Sequence, residues 1–152
     1  MNLYNLHSEP ESLLYFGEAT EIVPVLFWEK YKDNKEELKM REKAISRDVE
    51  YSYLYARIVL RGPFPLGEEA IAKSSFYSYL YAHYVLKGPF PAGEAIISKD
   101  AKYAHWYAYD VLKSPFPAGE AVIAEDCEFS HRYAKEVLKA DFYYDGKLIA
   151  QA

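Results

Sequence analysis

A 26-residue repeat constrains this sequence more than any other feature. The segment GPFPLGEEAI begins at Gly62, GPFPAGEAII at Gly88 and SPFPAGEAVI at Ser114, so one pattern returns after 26 residues each time. The segments VEYSYLYARIVLR, SFYSYLYAHYVLK, AKYAHWYAYDVLK and CEFSHRYAKEVLK recur with the same period. A fixed period of this size is typical of solenoids, in which each unit buries its apolar face only by stacking on its neighbours.

Each unit predicts two antiparallel helices. The first helix follows a residue whose side-chain oxygen can accept hydrogen bonds from the free amides of the first turn. These N-cap residues are Asp48, Ser74, Asp100 and Asp126. The helix runs for about 14 residues to a Lys or Arg, which suits the negative end of the helix dipole. Gly62 and Gly88 then stand where a left-handed residue ends a helix, and a second proline in each unit can start a short helix.

The segments that flank the full copies predict the ends of the array. Ser8 and Glu11 have capping-box spacing, and Thr20 can start a second helix that runs through Tyr31. A degenerate copy precedes the first full one, because Glu42, Ala44 and Ile45 stand 26 residues before Glu68, Ala70 and Ile71.

The fourth copy loses its PFP turn and is the atypical terminal repeat that such arrays require. We therefore expect an all-α fold, a helical-pair solenoid of about four 26-residue repeats with an N-terminal helical cap. Residues 1–45 form the cap with the degenerate repeat and residues 46–152 the four-repeat array, in a single domain overall.

Positions that hardly change between copies fall on one stripe of the first helix, and we assign this stripe to the core. They are Tyr51/Tyr77/Tyr103/Phe129, Tyr55/Tyr81/Tyr107/Tyr133, Ala56/Ala82/Ala108/Ala134, Val59/Val85/Val111/Val137 and Leu60/Leu86/Leu112/Leu138. The small alanines allow neighbouring helices to approach closely.

Positions that change between copies form the opposite face of the first helix. Stacking does not require this face, and in the middle copies it is aromatic, which is typical of partner contact. The candidate partner-binding residues are Leu54, Arg57, Ile58, Phe76, Leu80, His83, Tyr84, Trp106 and Tyr109. The alternatives are a solvated surface, packing against the N-terminal helices, and a seam with a second copy of the chain.

Composition and charge argue against several classes of function. The net charge is −5 and is spread along the chain without a basic patch, so we expect no direct binding to nucleic acid. The N-terminus lacks a basic region followed by an apolar one, so we expect no secretory signal. The longest apolar run, from Ile22 to Trp28, is far shorter than the roughly 20 residues of a membrane span. We therefore expect a soluble, intracellular protein that does not enter a membrane.

Several side chains that could act in catalysis or metal binding recur in the repeat, and we interpret their recurrence as structural. A ladder of repeated glutamates would suit catalysis or metal binding, yet such residues also accept hydrogen bonds from helix amides or buried tyrosines. They are Glu68, Glu94 and Glu120. His105 and His131 occupy equivalent positions, but layers roughly 10 Å apart are too distant to share one metal directly. Cys127 has no evident catalytic partner. We expect no metal, no cofactor and no enzymatic activity.

The string YAxxVLKGPFPxGExxIA resembles short tandem repeats in uncharacterised proteins of tailed bacteriophages, with similar arrays in some large viruses. The resemblance covers residues 46 to about 140. It implies a viral accessory protein in the cytoplasm of an infected bacterium, and it carries no activity or site residue with it. This chain departs from the pattern at Ser114 and in its fourth copy.

Three functions follow as hypotheses from the sequence. The first is a non-catalytic phage protein that binds a host protein and inhibits a bacterial defence system or redirects a host enzyme. The second is a sponge that sequesters a nucleotide signal or another small ligand, with Arg57 and His83 meeting phosphate. The third is an acidic mimic of DNA, which the modest and mixed charge favours least.

Overall fold

The computed structural model describes residues 14–16, 19–23 and 33–152, and this part of the chain is mostly helical. Longer helical segments pack against shorter ones in pairs. In chain order the helical segments are α1 (Lys35–Ile45), α2 (Val49–Leu54) with π1 (Tyr55–Leu60), the 3₁₀ turn Pro65–Gly67 with α3 (Glu68–Ile71), α4 (Ser75–Leu80) with π2 (Tyr81–Leu86), α5 (Pro91–Ile97), α6 (Ala101–Trp106) with π3 (Tyr107–Leu112), α7 (Pro117–Glu125), and α8 (Cys127–Arg132) with π4 (Tyr133–Leu138).

The predicted helix starts are confirmed in all four copies. The side chain of each N-cap accepts a hydrogen bond from the backbone N–H three residues later, which satisfies one of the amides that a helix leaves free at its start. The four cap bonds join Asp48 to Tyr51, Ser74 to Tyr77, Asp100 to Tyr103 and Asp126 to Phe129. One chemical device, repeated with the period of the sequence, therefore sets where each longer helix begins.

Each longer helix changes from α to π hydrogen bonding halfway along, a change that the repeat pattern does not predict. The carbonyl of Ala56 accepts hydrogen bonds from the backbone N–H groups of both Arg61 and Gly62, the second at 3.1 Å. Gly88, Ser114 and Ala140 donate to the equivalent alanine carbonyls at 3.2, 3.3 and 3.2 Å. Two successive amides thus share one acceptor at the end of each π segment.

The left-handed residue that ends each longer helix is not the predicted glycine. The π segments end at Leu60, Leu86, Leu112 and Leu138, one residue before the basic residue that was expected to close the helix. The left-handed conformation therefore falls on that basic residue: φ is 51° at Arg61, 53° at Lys87, 54° at Lys113 and 54° at Lys139. Gly62 and Gly88 need no left-handed backbone, so serine or alanine can replace them at positions 114 and 140 without strain.

The core follows the constant stripe of the sequence. The tyrosines and alanines at the start of each π segment are fully buried, whereas the first tyrosine, the valine and the leucine of the stripe are partly buried against them. Each buried tyrosine meets a phenylalanine edge-on, with ring centroids 5.0–5.2 Å apart. These pairs are Tyr55–Phe64, Tyr81–Phe90, Tyr107–Phe116 and Tyr133–Phe142.

The described part also contains two antiparallel hairpins, which correct the all-α expectation. At the C-terminal side, β3 (Phe142–Tyr144) pairs with β4 (Lys147–Ala150), and Phe142 fills the place of the phenylalanine from the missing PFP turn. At the N-terminal side, β1 (Leu14–Phe16) pairs with β2 (Ala19–Val23).

The predicted start of a helix at Thr20 is therefore wrong, because this residue lies within β2. Three of the five residues in ATEIV are β-branched, which favours a strand over the helix that Thr20 could have capped. The predicted capping box at Ser8 and Glu11 and the expected helix beyond residue 23 lie outside the described residues. The last 11 residues of the predicted cap are helical as α1, which buries Ile45.

Candidate functional site

The repeated glutamates bind the buried tyrosines of the following unit. The hydroxyl of Tyr107 donates to Glu94 Oε1 at 2.8 Å and accepts from the backbone N–H of Phe90 at 2.8 Å. Tyr81 and Tyr133 make the same two bonds one unit before and one unit after. Glu42 of the degenerate copy accepts from Tyr55 in the same manner at 2.9 Å. These carboxylates therefore complete a structural contact between units, as the structural interpretation expected.

A second set of contacts joins units through residues 31 positions apart. The hydroxyl of Tyr79 donates to Asp110 Oδ2 at 2.7 Å, and Nε2 of His105 lies 2.9 Å from Glu136 Oε2. Tyr79 and His105 occupy the same position in successive units, as do Asp110 and Glu136. Two positions that vary between copies thus vary together, because they form a pair across the contact between neighbouring units. We call each such contact a junction.

The first junction uses a cation in place of an acid. Arg57 donates to the Tyr53 hydroxyl at 2.6 Å, and its guanidinium lies 4.3 Å from the centre of the Tyr84 ring. Tyr53 and Tyr84 are again 31 residues apart. A guanidinium over an aromatic face is an attractive arrangement that also shields the ring from water. The three junctions therefore carry three different chemistries at one structural position.

We call the exposed and half-buried rings and guanidinium groups around these junctions the aromatic ridge. Tyr79 stacks on His83, whose ring meets Tyr84 edge-on at 4.4 Å. In the next unit Arg132 lies over Trp106 at 4.8 Å from the ring centre. The aromatic ridge consists of Arg57, Tyr79, His83, Tyr84, Trp106, Tyr109 and Arg132.

The candidate partner-binding residues divide into three groups in the structure. Leu54 is 3% exposed and belongs to the core, so its assignment to a free face is wrong. Tyr84 and Tyr109 are 38% and 45% exposed and offer the most ring area to a partner. The other six are half-buried between units, and they are Arg57, Ile58, Phe76, Leu80, His83 and Trp106.

The side chain of His105 lies beneath the ridge and is fully buried. Burial lowers its pKa from the usual 6.5, against the opposite influence of the Glu136 carboxylate, and Arg132 lowers it further. The groups around the ring are Glu136, Arg132, Asp110, Trp106, Tyr109 and Phe129. The neutral imidazole is therefore the form that the folded junction favours.

We expect this histidine to make stability depend on pH. Because the unfolded chain takes up the proton near pH 6.5 and the folded chain only at lower pH, stability is complete above pH 6.5 and falls as pH drops below it. Urea unfolding at pH 7.5 and pH 5.5 measures this slope. In His105→Gln the slope should be smaller than in the wild type.

His131→Gln is the matched control, since His131 has the same position in the next unit but is exposed. The decrease in slope should be larger in His105→Gln than in this control variant. An equal slope in His105→Gln and the wild type would contradict the prediction.

An open groove of about 380 Å³ lies beside the ridge, between the third and fourth units. Tyr109 and Asp110 contribute from one unit and Glu136 from the next. Lys113 and Lys139, the left-handed residues that end π3 and π4, both line it. Asp110 and Glu136 already face Tyr79 and His105, so the two ammonium groups are the uncommitted charges of this groove.

Sequence reasoning missed the residues that hold the ridge together. Tyr79, Asp110 and Glu136 were not candidates, although a search for matched chemistry 31 residues apart would have found two of the three junction pairs. Arg132 was not a candidate either, yet its guanidinium covers Trp106. These contacts join residues of neighbouring units. A comparison that aligns single copies does not show which residues of one unit contact the next.

No family model matches the sequence, and neither a curated protein nor a solved structure is significantly similar to it. Within residues 33–152 and the two described strands, no group of three or more potential metal ligands comes together. No helix of the same regions is long and apolar enough to cross a membrane.

Proposed function

We propose that this chain is a helical-repeat solenoid that binds a protein partner through the aromatic ridge and performs no catalysis of its own. The resemblance of its repeats to those of tailed bacteriophages makes a protein of the bacterial host the proposed partner, within the cytoplasm of the infected cell. Inhibition of a host defence protein is the biological role that this proposal favours.

The observation that carries the proposal is the exposure of Tyr84 and Tyr109 on a surface whose other side chains already pack against one another. Their rings are held by neighbours, since Tyr84 contacts Arg57 and His83, and Tyr109 stacks on the buried His105. Rigid aromatic side chains lose little conformational entropy when a partner covers them, and Tyr is among the residues that dominate binding hot spots. The ridge therefore offers anchors that are both exposed and already positioned.

The repeat supports the same conclusion about architecture. Helix starts, left-handed ends, tyrosine–glutamate bonds and tyrosine–phenylalanine pairs all return every 26 residues. In a solenoid, stacked units build an extended surface whose chemistry is free to change along its length. The ridge changes in this manner, from Arg57 with Tyr84 in the early units to Trp106 with Arg132 in the later ones.

The proposal is tested by capturing partners from bacterial lysate with the tagged chain and identifying them by mass spectrometry. We expect a stoichiometric host protein with the wild type, and its loss with the double variant Tyr84→Ala and Tyr109→Ala. Hot-spot residues cost about 2 kcal/mol or more on truncation, so each single variant should weaken binding at least about 30-fold. Titration calorimetry with the purified partner measures this directly.

The control variant is Leu66→Ala combined with Tyr143→Ala, which removes two side chains of comparable exposure away from the ridge. It should retain the partner at wild-type affinity. Equal capture by the ridge variant and the control variant would contradict the proposal. A pure chain that is a dimer by light scattering, and that becomes a monomer in the ridge variant, would assign the ridge to self-association instead.

A further inference from the structure

We infer that the partner presents an extended acidic polypeptide segment, which binds along a row of cations beside the aromatic ridge. This inference rests on the proposed function and adds the chemistry of the partner to it. We call these residues the cation row: Arg61, Lys87, Lys113 and Lys139. All four are exposed, and none of them forms an ion pair within the described part of the chain.

The residues of the cation row are far apart in the sequence and come together only because the repeats stack. Its members stand 26 residues apart, so composition and local charge show no basic patch. The longer helices lie side by side in the structure, because π1 contacts π2, π2 contacts π3 and π3 contacts π4. Their ends therefore lie next to one another, and the groove that both Lys113 and Lys139 line shows this juxtaposition directly.

The backbone of the row places four cationic side chains where glycine would be less strained. Each residue has φ between 51° and 54°, a conformation that glycine adopts without cost and other residues adopt with strain. A glycine lies one position later in two of the units, so the array contains this residue type but does not use it at the strained position. Favourable contact with the negative helix end offsets part of the strain, and the inferred acidic partner would use the same four charges.

The geometry of the row fits an extended peptide. Packed helices lie roughly 8–10 Å apart, and a peptide in the extended polyproline II conformation rises roughly 3.1 Å per residue, with every third side chain on the same face. Carboxylates at every third residue of a peptide would therefore match successive cations of the row. The peptide residues between them would lie towards the exposed rings of Tyr84 and Tyr109.

Nucleic acid fits the same row less well. A nucleic-acid strand carries one charge at each nucleotide, roughly every 3.4 Å along one strand of a duplex. Most of its phosphates would therefore fall between the cations. Asp110 and Glu136 line the groove between Lys113 and Lys139 and would repel such phosphates. A peptide can place uncharged residues there.

The test uses the full chain and a fluorescent 13-residue peptide with Glu at every third position in a Ser background. Fluorescence anisotropy at low salt should show saturable binding, which added salt weakens. A peptide with Gln in place of Glu should bind at least about tenfold more weakly, as the loss of several exposed charge pairs predicts. An oligothymidine of the same length should bind more weakly than the Glu peptide.

The variant with Lys87→Gly, Lys113→Gly and Lys139→Gly removes the charge together with the backbone strain. It should keep its thermal midpoint, so that weaker peptide binding cannot be attributed to unfolding. The control variant with Lys73→Gln, Lys99→Gln and Lys147→Gln has the same net charge and should bind like the wild type. Equal binding by both variants, equal binding of the Glu and Gln peptides, or tighter binding of oligothymidine would each overturn the inference.

The outcome also separates this inference from the function on which it rests. If the Lys→Gly variant keeps the captured host protein and the Tyr84→Ala variant loses it, the ridge binds a partner that is not acidic, and only the inference fails. If both variants keep the host protein, the proposed function fails as well.

Discussion

Replacement of Gly93 by alanine should lower the free energy of unfolding by about 3 kcal/mol, the upper end of what overpacking usually costs. A Cβ atom at this position would lie 2.5 Å from Phe90 Cδ1 and 2.7 Å from Ser78 Cβ. Ser78 and Phe90 are both buried, so neither can move aside without disturbing the core. Gly67 has an equally short contact in its unit, and at Gly119 the shortest would be 2.7 Å. Chemical denaturation followed by circular dichroism measures the loss.

Gly88→Ala is the matched control, five residues earlier in the same unit. Its nearest new contact would be Leu86 O at 4.0 Å, and its φ lies outside the left-handed region. We expect a change of no more than about 0.5 kcal/mol, and the sign can be favourable because alanine restricts the unfolded chain. Equal losses in both variants would show that close packing beneath the short helix is not what position 93 requires.

Removal of one hydroxyl group should cost nearly as much. Tyr107→Phe leaves the buried N–H of Phe90 and the Glu94 carboxylate without the group that joins them. A buried donor that loses its partner costs about 1–3 kcal/mol, so we expect a loss of about 2–3 kcal/mol for the two bonds together. Burial raises the pKa of Tyr107, and Glu94 raises it further, so the hydroxyl keeps its proton throughout the neutral range.

Tyr109→Phe isolates the effect of position, since this ring is 45% exposed only two residues away. Its hydroxyl makes no hydrogen bond within the described structure, so stability should not change. A loss in Tyr107→Phe no larger than that in Tyr109→Phe would contradict the importance of the Tyr107–Glu94 contact. The same comparison with Tyr81→Phe tests whether successive units depend on the bond equally.

The parts of the fold that follow from one unit at a time were predictable from the sequence. The N-caps at Asp48 and Asp100 depend on a side chain and an amide three residues later, and the burial of Tyr55 and Ala56 depends on helical spacing. Each of these features has a local cause. They therefore recur wherever the local sequence recurs.

The parts that depend on hydrogen-bond register were not predictable. Only six residues in each longer helix follow the π register, and a stretch this short is too brief for the pattern of Val and Leu to reveal its period. The shorter helix that results puts the left-handed conformation on Lys87 and not on Gly88, although glycine is the usual residue for it.

The candidate surface was predictable only in outline. Tyr84 and Tyr109 are exposed, but a single copy gives no sign that Leu54 is buried or that Arg132 covers Trp106. The second fact follows from a contact between one unit and the next. The pairs Tyr79–Asp110 and His105–Glu136 show that such contacts need two units for their definition.

The bonds of the buried tyrosines to the preceding unit set the order in which the units are completed during synthesis. Tyr81 binds the turn of the unit before it, and Tyr107 and Tyr133 do the same, so each turn is completed by residues that the ribosome adds later. A nascent chain therefore always carries one unfinished unit at its growing end. Phe142 needs no following unit, because it lies in a strand of the C-terminal hairpin and not in a turn. The hairpin therefore completes the fourth unit, whereas each earlier unit is completed by the one after it.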